Sequence, residues 1–135
     1  MGLSKYLIGQ EAIEYIKKEI SQQFENDIVM EEIETAFNHH GWFKLKLKYI
    51  PNSYTIYFEG EFNCFNIRII KDDGAFIALS KLIEYNNNLT EQDIRDSLEK
   101  LKNILKTKIH FYKIINEKLY QDVNGTYKEI NSRKD

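Results

Sequence analysis

Between Gln10 and Phe24 the apolar residues Ile13, Ile16, Ile20 and Phe24 recur at spacings of three, four and four. That interval puts them on one stripe and predicts an amphipathic helix. Val29, Ile33, Ala36 and Phe37 suggest a second helical stretch ending near Asn38 to Gly41, where glycine can terminate a helix. Asn26 and Asp27 either break the two helices apart or lie within one long helix.

The period then changes from helical to two. Phe43, Leu45, Leu47 and Tyr49 alternate with Lys44, Lys46 and Lys48, so one face of this strand is apolar and the other basic. Pro51, Asn52 and Ser53 turn the chain into Tyr54 to Phe58, and Gly60 between Glu59 and Glu61 suggests a tight turn or bulge. Phe65, Ile67 and Ile69 alternate with Asn66 and Arg68, and Asp72, Asp73 and Gly74 turn the chain into Ala75 to Leu79. Four antiparallel strands in a meander account for this stretch.

Thr90 is a helix-capping residue with Asp93 at the third position after it, and Ile94, Leu98, Leu101 and Leu105 form the apolar stripe that follows. Ile109 to Ile115 is rich in β-branched and aromatic residues. Asn124-Gly125, between Leu119 to Val123 and Thr126 to Ile130, is a strong hairpin signal. The reading is α+β: an N-terminal helix or helix pair, an antiparallel meander sheet, one further amphipathic helix and a C-terminal β-hairpin. Residues 1–135 are expected to form one domain, with 131–135 a disordered tail.

Composition adds limits. The 135 residues are 42% hydrophobic and 30% charged, enough apolar material for one core without disulfide or metal. Met1 to Gln10 holds no apolar run long enough for a secretory signal or membrane span, so a cytoplasmic protein with no membrane partner is expected. The net charge of −2 conceals polarity: residues 1–40 carry eight acids and three bases, whereas residues 101–135 carry eight bases and four acids. That balance argues against a general nucleic-acid coat.

The motif search is largely negative. His39, His40, Cys64 and His110 match no metal-binding spacing, so no metal and no cofactor are expected. The six glycines are scattered singly rather than gathered in a phosphate loop, and the serines sit in no nucleophile signature. No catalytic residue is nominated, and the chain is read as a non-enzyme. The best binding candidates are Lys44, Lys46 and Lys48, which span about 13 Å at roughly 3.3 Å per residue, with Tyr54 and Tyr57 on the next strand. Tyr112, Tyr120 and Tyr127 are further aromatics open to contact. Trp42 is read first as a core residue.

The segment Ile33-Glu34-Thr35-Ala36-Phe37-Asn38-His39-His40-Gly41-Trp42-Phe43-Lys44-Leu45 resembles a stretch of phage anti-CRISPR inhibitors of the type II RNA-guided nuclease. The resemblance comprises an acidic helix ending in Ala-Phe, a polar step, then Gly-Trp and an aromatic. It extends as a coarse order through antiparallel strands, a charged helix like Thr90 to Lys106 and a closing aromatic strand pair like His110 to Tyr127. The family's basic N-terminal arm has no counterpart, because Met1 to Phe24 reads as an acidic helix. The resemblance implies a non-catalytic inhibitor that binds and blocks a nuclease, with a protein or ribonucleoprotein partner, and it carries over no individual contact residue. An immunity protein neutralising a bacterial toxin has the same physical features, and a protein sequestering a nucleotide signal is the third alternative. Direct nucleic-acid contact is open but not favoured.

Overall fold

A computed structural model of the chain describes residues 5–130; the tail expected at 131–135 lies outside the described residues. Helix α1 (Gln10–Phe24) is followed by strands β1 (Ile28–Ala36), β2 (Trp42–Tyr49), β3 (Tyr54–Glu61), β4 (Cys64–Ile70) and β5 (Phe76–Ala78). Helix α2 (Glu91–Ile104) and strands β6 (Tyr112–Ile115), β7 (Lys118–Val123) and β8 (Thr126–Glu129) complete the order. The eight strands form one antiparallel sheet in chain order. Among the described residues no helix is long and apolar enough to cross a membrane.

Each helix buries the stripe its sequence presents. Ile13, Ile16, Ile20 and Phe24 of α1 are buried, as are Ile94, Leu98 and Leu101 of α2 and Leu105 just beyond it. They join one cluster with Phe43, Leu45 and Leu47 of β2, Ile56 and Phe58 of β3, and Phe65, Ile67 and Ile69 of β4. Each fully buried side chain of this kind stabilises the fold by about 1.5 to 3 kcal/mol. Both helices therefore lie on the same side of the sheet. Thr90 caps α2 by accepting the Asp93 backbone N–H at 3.2 Å. The Asp93 carboxylate reaches back past the cap and accepts from the Asn88 N–H at 3.1 Å, anchoring the preceding loop.

Residues 28–36 form a strand, so of the two N-terminal expectations the single helix holds and the helix pair does not. The strand is mostly exposed and carries a bulge between Met30 and Glu32. Ile28 and Met30 lie opposite Tyr49 and Leu47, whereas after the bulge Ile33 and Thr35 lie opposite Leu45 and Phe43. The stripe read as helical is thus divided between the two faces, Val29 and Ala36 opposite Lys48 and Trp42 and Ile33 opposite Leu45, and Ile33 stays exposed. The pairing is electrostatically matched, because Glu32 stands opposite Lys46 and Glu34 opposite Lys44.

Gly60 lies inside β3 rather than at a turn. It faces the core, and a Cβ there would come within 2.5 Å of the Phe43 ring. Glycine is required to let that ring lie flat on the strand. The turn between β3 and β4 is instead made by Phe62 and Asn63, both in the left-handed region. The expected Asn124-Gly125 turn joins β7 to β8, and Asn116-Glu117, also at positive φ, joins β6 to β7.

Strands β5 and β6 share a single register pair, Phe76 with Tyr112. Side chains reinforce this weak seam. Lys113 lies 3.4 Å from the Asp73 carboxylate, to which the Tyr127 hydroxyl also donates at 3.3 Å. The Ala75 N–H donates to Asp73 at 3.0 Å, and this bond, ahead of the Lys113 charge, holds the Asp73 carboxyl below the usual carboxylate range. Asp73 does more than favour a turn: it fastens the C-terminal strands to the rest.

Gly60→Ala should destabilise the protein by about 1 to 3 kcal/mol through overpacking against Phe43. Urea unfolding checks this, and Phe43→Leu in the same chain should recover part of the loss.

Candidate functional site

Direct cross-strand partners share a face of the sheet, so the register lists the side chains opposite the helices. One row runs Glu34, Lys44, Glu59, Asn66; the next runs Glu32, Lys46, Tyr57, Arg68, Ala78; a third runs Val29, Lys48, Thr55, Ile70, Phe76, Tyr112. Neither helix covers this face. Period two in β2 makes it inevitable, since seating Phe43, Leu45 and Leu47 in the core turns every intervening lysine outward.

The central feature is Tyr57. Lys44 Nζ lies 4.5 Å from its ring centre and the Arg68 guanidinium carbon 5.3 Å. Both cations are attracted to the ring quadrupole, which holds two flexible side chains over one aromatic platform. Beside it, Trp42 donates its indole N–H to the Glu59 carboxylate at 2.6 Å. Among the described residues, neither Lys44, Lys46 nor Arg68 forms an ion pair. Glu32, Glu34 and Glu59 share their rows, so the face interleaves cations with carboxylates around Tyr57.

The nominated residues divide. Lys44, Lys46 and Tyr57 meet on the open face. Lys48 shares the face but is engaged, donating to the Ser53 carbonyl at 3.2 Å and standing 3.8 Å from Asp72. Tyr54 does not join them, because it is three residues from Tyr57 and so points to the other side. Its ring packs 5.3 Å from Phe111 and 6.3 Å from Tyr49. Trp42, expected in the core, has the same parity as the lysines and stands half-buried on the open face. Arg68, not among the nominated residues, joins the lysines on this face, as its alternation with Ile67 and Ile69 implies. Of the remaining tyrosines, Tyr112 reaches the open face beside Phe76, whereas Tyr127 is spent on Asp73.

The histidines lie apart. His110 Nδ1 is 3.0 Å from the Asp122 carbonyl, while His40 stacks on Phe62 at the opposite end of the sheet's chain order. Among the described residues no three histidine, cysteine or carboxylate side chains gather in a way that could hold a metal ion.

A second polar assembly lies in the seam between α1 and α2. Glu19 is 5% exposed, yet it accepts from the Tyr15 hydroxyl at 2.7 Å and from Gln23 Nε2 at 3.0 Å. Arg95 of α2 donates to the Tyr15 oxygen at 3.3 Å, and Gln23 donates to the Arg95 carbonyl at 3.2 Å. The network satisfies a buried carboxylate and pins the helices together, which accounts for it as packing. Burial first, and then the hydrogen bond to Glu19, push the Tyr15 phenol up to about 12.

Comparison with protein-family models, with curated proteins and with solved structures finds no match to this chain. The geometry of the open face therefore carries the functional argument.

The Tyr15 shift has a measurable consequence. An unfolded tyrosine loses its proton near pH 10, and the folded Tyr15 near 12, so the native state binds this proton more tightly. Its stabilising contribution is complete below pH 10 and is lost as pH rises to 12. Urea midpoints across that interval should fall more steeply for the natural protein than for Tyr15→Phe; parallel slopes would refute the assignment.

Proposed function

We propose that this chain is a non-catalytic inhibitor that binds and blocks a nuclease, with the uncovered sheet face as its contact surface. The observation that carries this reading is the disposition of Lys44, Lys46 and Arg68 around Tyr57 on a face that the fold leaves bare. Cations held over an aromatic on a sheet suit a polyanionic partner element, either phosphates of a bound nucleic acid or a strip of carboxylates. A ribonucleoprotein nuclease offers such phosphates at its working surface. Aromatic platforms add sequence-tolerant contact with an exposed base or an apolar side chain.

The narrower reading is a phage or mobile-element anti-CRISPR protein acting on a type II RNA-guided nuclease. Its support is the resemblance over residues 33–45. The acidic segment in that resemblance is strand β1 here and not a helix, so what remains of the likeness is the Gly41-Trp42-Phe43 step into β2. The balanced net charge of −2 fits recognition of one partner better than general adhesion to nucleic acid.

The test is inhibition of DNA cleavage by a purified guide-loaded type II nuclease at about 0.15 M salt, where weak long-range attraction is screened. The natural chain should form a complex and suppress cleavage. Reversing the charges with Lys44→Glu, Lys46→Glu and Arg68→Glu together should weaken binding about a hundredfold or more, since each lost charged contact is worth about 1 kcal/mol or more. Absence of any complex, with instead a tight complex with a secreted toxin, would replace this reading by the immunity one.

A further inference from the structure

At one end of the sheet the β1–β2 loop, the β3–β4 turn and the segment preceding α1 come together. Leu7 donates its N–H to Leu89 at 2.8 Å, Leu89 donates to Asn63 at 2.9 Å, and the Phe37 ring rests on Gly9. This end is apolar and exposed: Ile8 is 70%, Phe62 63% and Phe37 39% accessible. Phe62 is the extreme case, and its backbone is as telling as its ring.

Phe62 has φ +55 and His40 φ +55, both left-handed. The two turns are locked together, because Phe62 donates its N–H to the His40 carbonyl at 3.0 Å and the rings stack with centres 3.9 Å apart. A two-residue hairpin turn with both central residues at positive φ favours asparagine, aspartate or glycine at the first position. The same chain supplies asparagine there in its other two such turns, at Asn116 and Asn124. At 62 it carries instead a bulky aromatic, in a backbone region that disfavours it, with most of the ring in water. The ring lies outside the core cluster, and its stacking on His40 is the packing it gains within the chain. An aromatic that is 63% exposed, held in a disfavoured backbone region with one stacking contact to offset it, points to a contact made with something else.

The surroundings define that contact. Glu59 and Glu61 line the cleft beside Phe62 together with Cys64, Asn66 and Asn87, and no lysine or arginine does. We infer that Phe62, supported by His40 and flanked by Phe37, is an anchor that inserts into an apolar pocket rimmed by basic side chains on the blocked nuclease. The acidic flank complements such a rim and opposes an anionic membrane. It opposes a second copy of the same end as well, since carboxylates would then meet carboxylates. This assignment rests on the nuclease-blocking reading but not on the sheet face being the contact.

Phe62→Asn separates the two roles. It supplies the residue the turn prefers and removes the ring, so the melting temperature should rise while inhibition of the guide-loaded nuclease falls about tenfold or more, as expected of a buried aromatic anchor. Phe62→Gly should behave the same way. Phe62→Leu keeps apolar volume and should retain most of the inhibition. Glu61→Gln should weaken binding chiefly at low salt, through loss of attraction to the basic rim. If the natural chain binds the nuclease but Phe62→Asn binds equally well, the anchor is refuted and the blocking reading stands. If Phe62→Asn is less stable than the natural chain, the strain argument is overturned. If the natural chain does not bind the nuclease at all, both readings fall together.

Discussion

The structure depends on the alternation in β2. Phe43, Leu45 and Leu47 are fully buried, and each is separated from the next by a lysine. A slip of one residue would drive those lysines into the core, at a cost of several kcal/mol for each unpaired charge. The register is therefore held by the core, and two consequences follow. The helices α1 and α2 must cover the apolar side. The basic side must then remain uncovered and in register with whatever flanks it, which is acidic β1 on one side and Tyr57 and Glu59 on the other. The proposed contact surface is the reverse side of the packing problem.

Much of this was legible from residue spacing. The stripes of α1 and α2, strands β2 to β5 as an antiparallel meander, the Thr90 cap and the Asn124-Gly125 turn all follow from local periodicity and turn chemistry. What was not legible had particular causes. Strand β1 is mostly exposed and interrupted by a bulge, so its few apolar residues, Val29, Ile33 and Ala36, keep no period of two. Gly60 read as a turn because the Phe43 ring that requires it lies on another strand. The site was half legible: parity applied strictly would have moved Tyr54 inward and Trp42 outward. The link from Arg68 to Tyr57 is a cross-strand pairing that exists only once β3 and β4 are in register.

The molecule separates its tasks by location. Stability is concentrated in the cluster between the sheet and two helices, and in the Glu19, Tyr15 and Arg95 network that joins those helices. Two further features lie elsewhere, on the open face around Tyr57 and at the end carrying His40 and Phe62. They differ in chemistry, one a mixed-charge face with cations over an aromatic, the other apolar with carboxylates beside it. The proposed ribonucleoprotein partner would offer a complement to each, phosphates and basic protein surface.

On the proposed function, the bare sheet face is the surface a partner covers. Covalent lysine labelling of the chain, free and in complex with the guide-loaded nuclease, reads this position by position through mass spectrometry. The account predicts that Lys44 and Lys46 become protected in the complex while Lys17 and Lys18 of α1 react as before. Unchanged labelling of Lys44 and Lys46, with protection on the helical side instead, would contradict it.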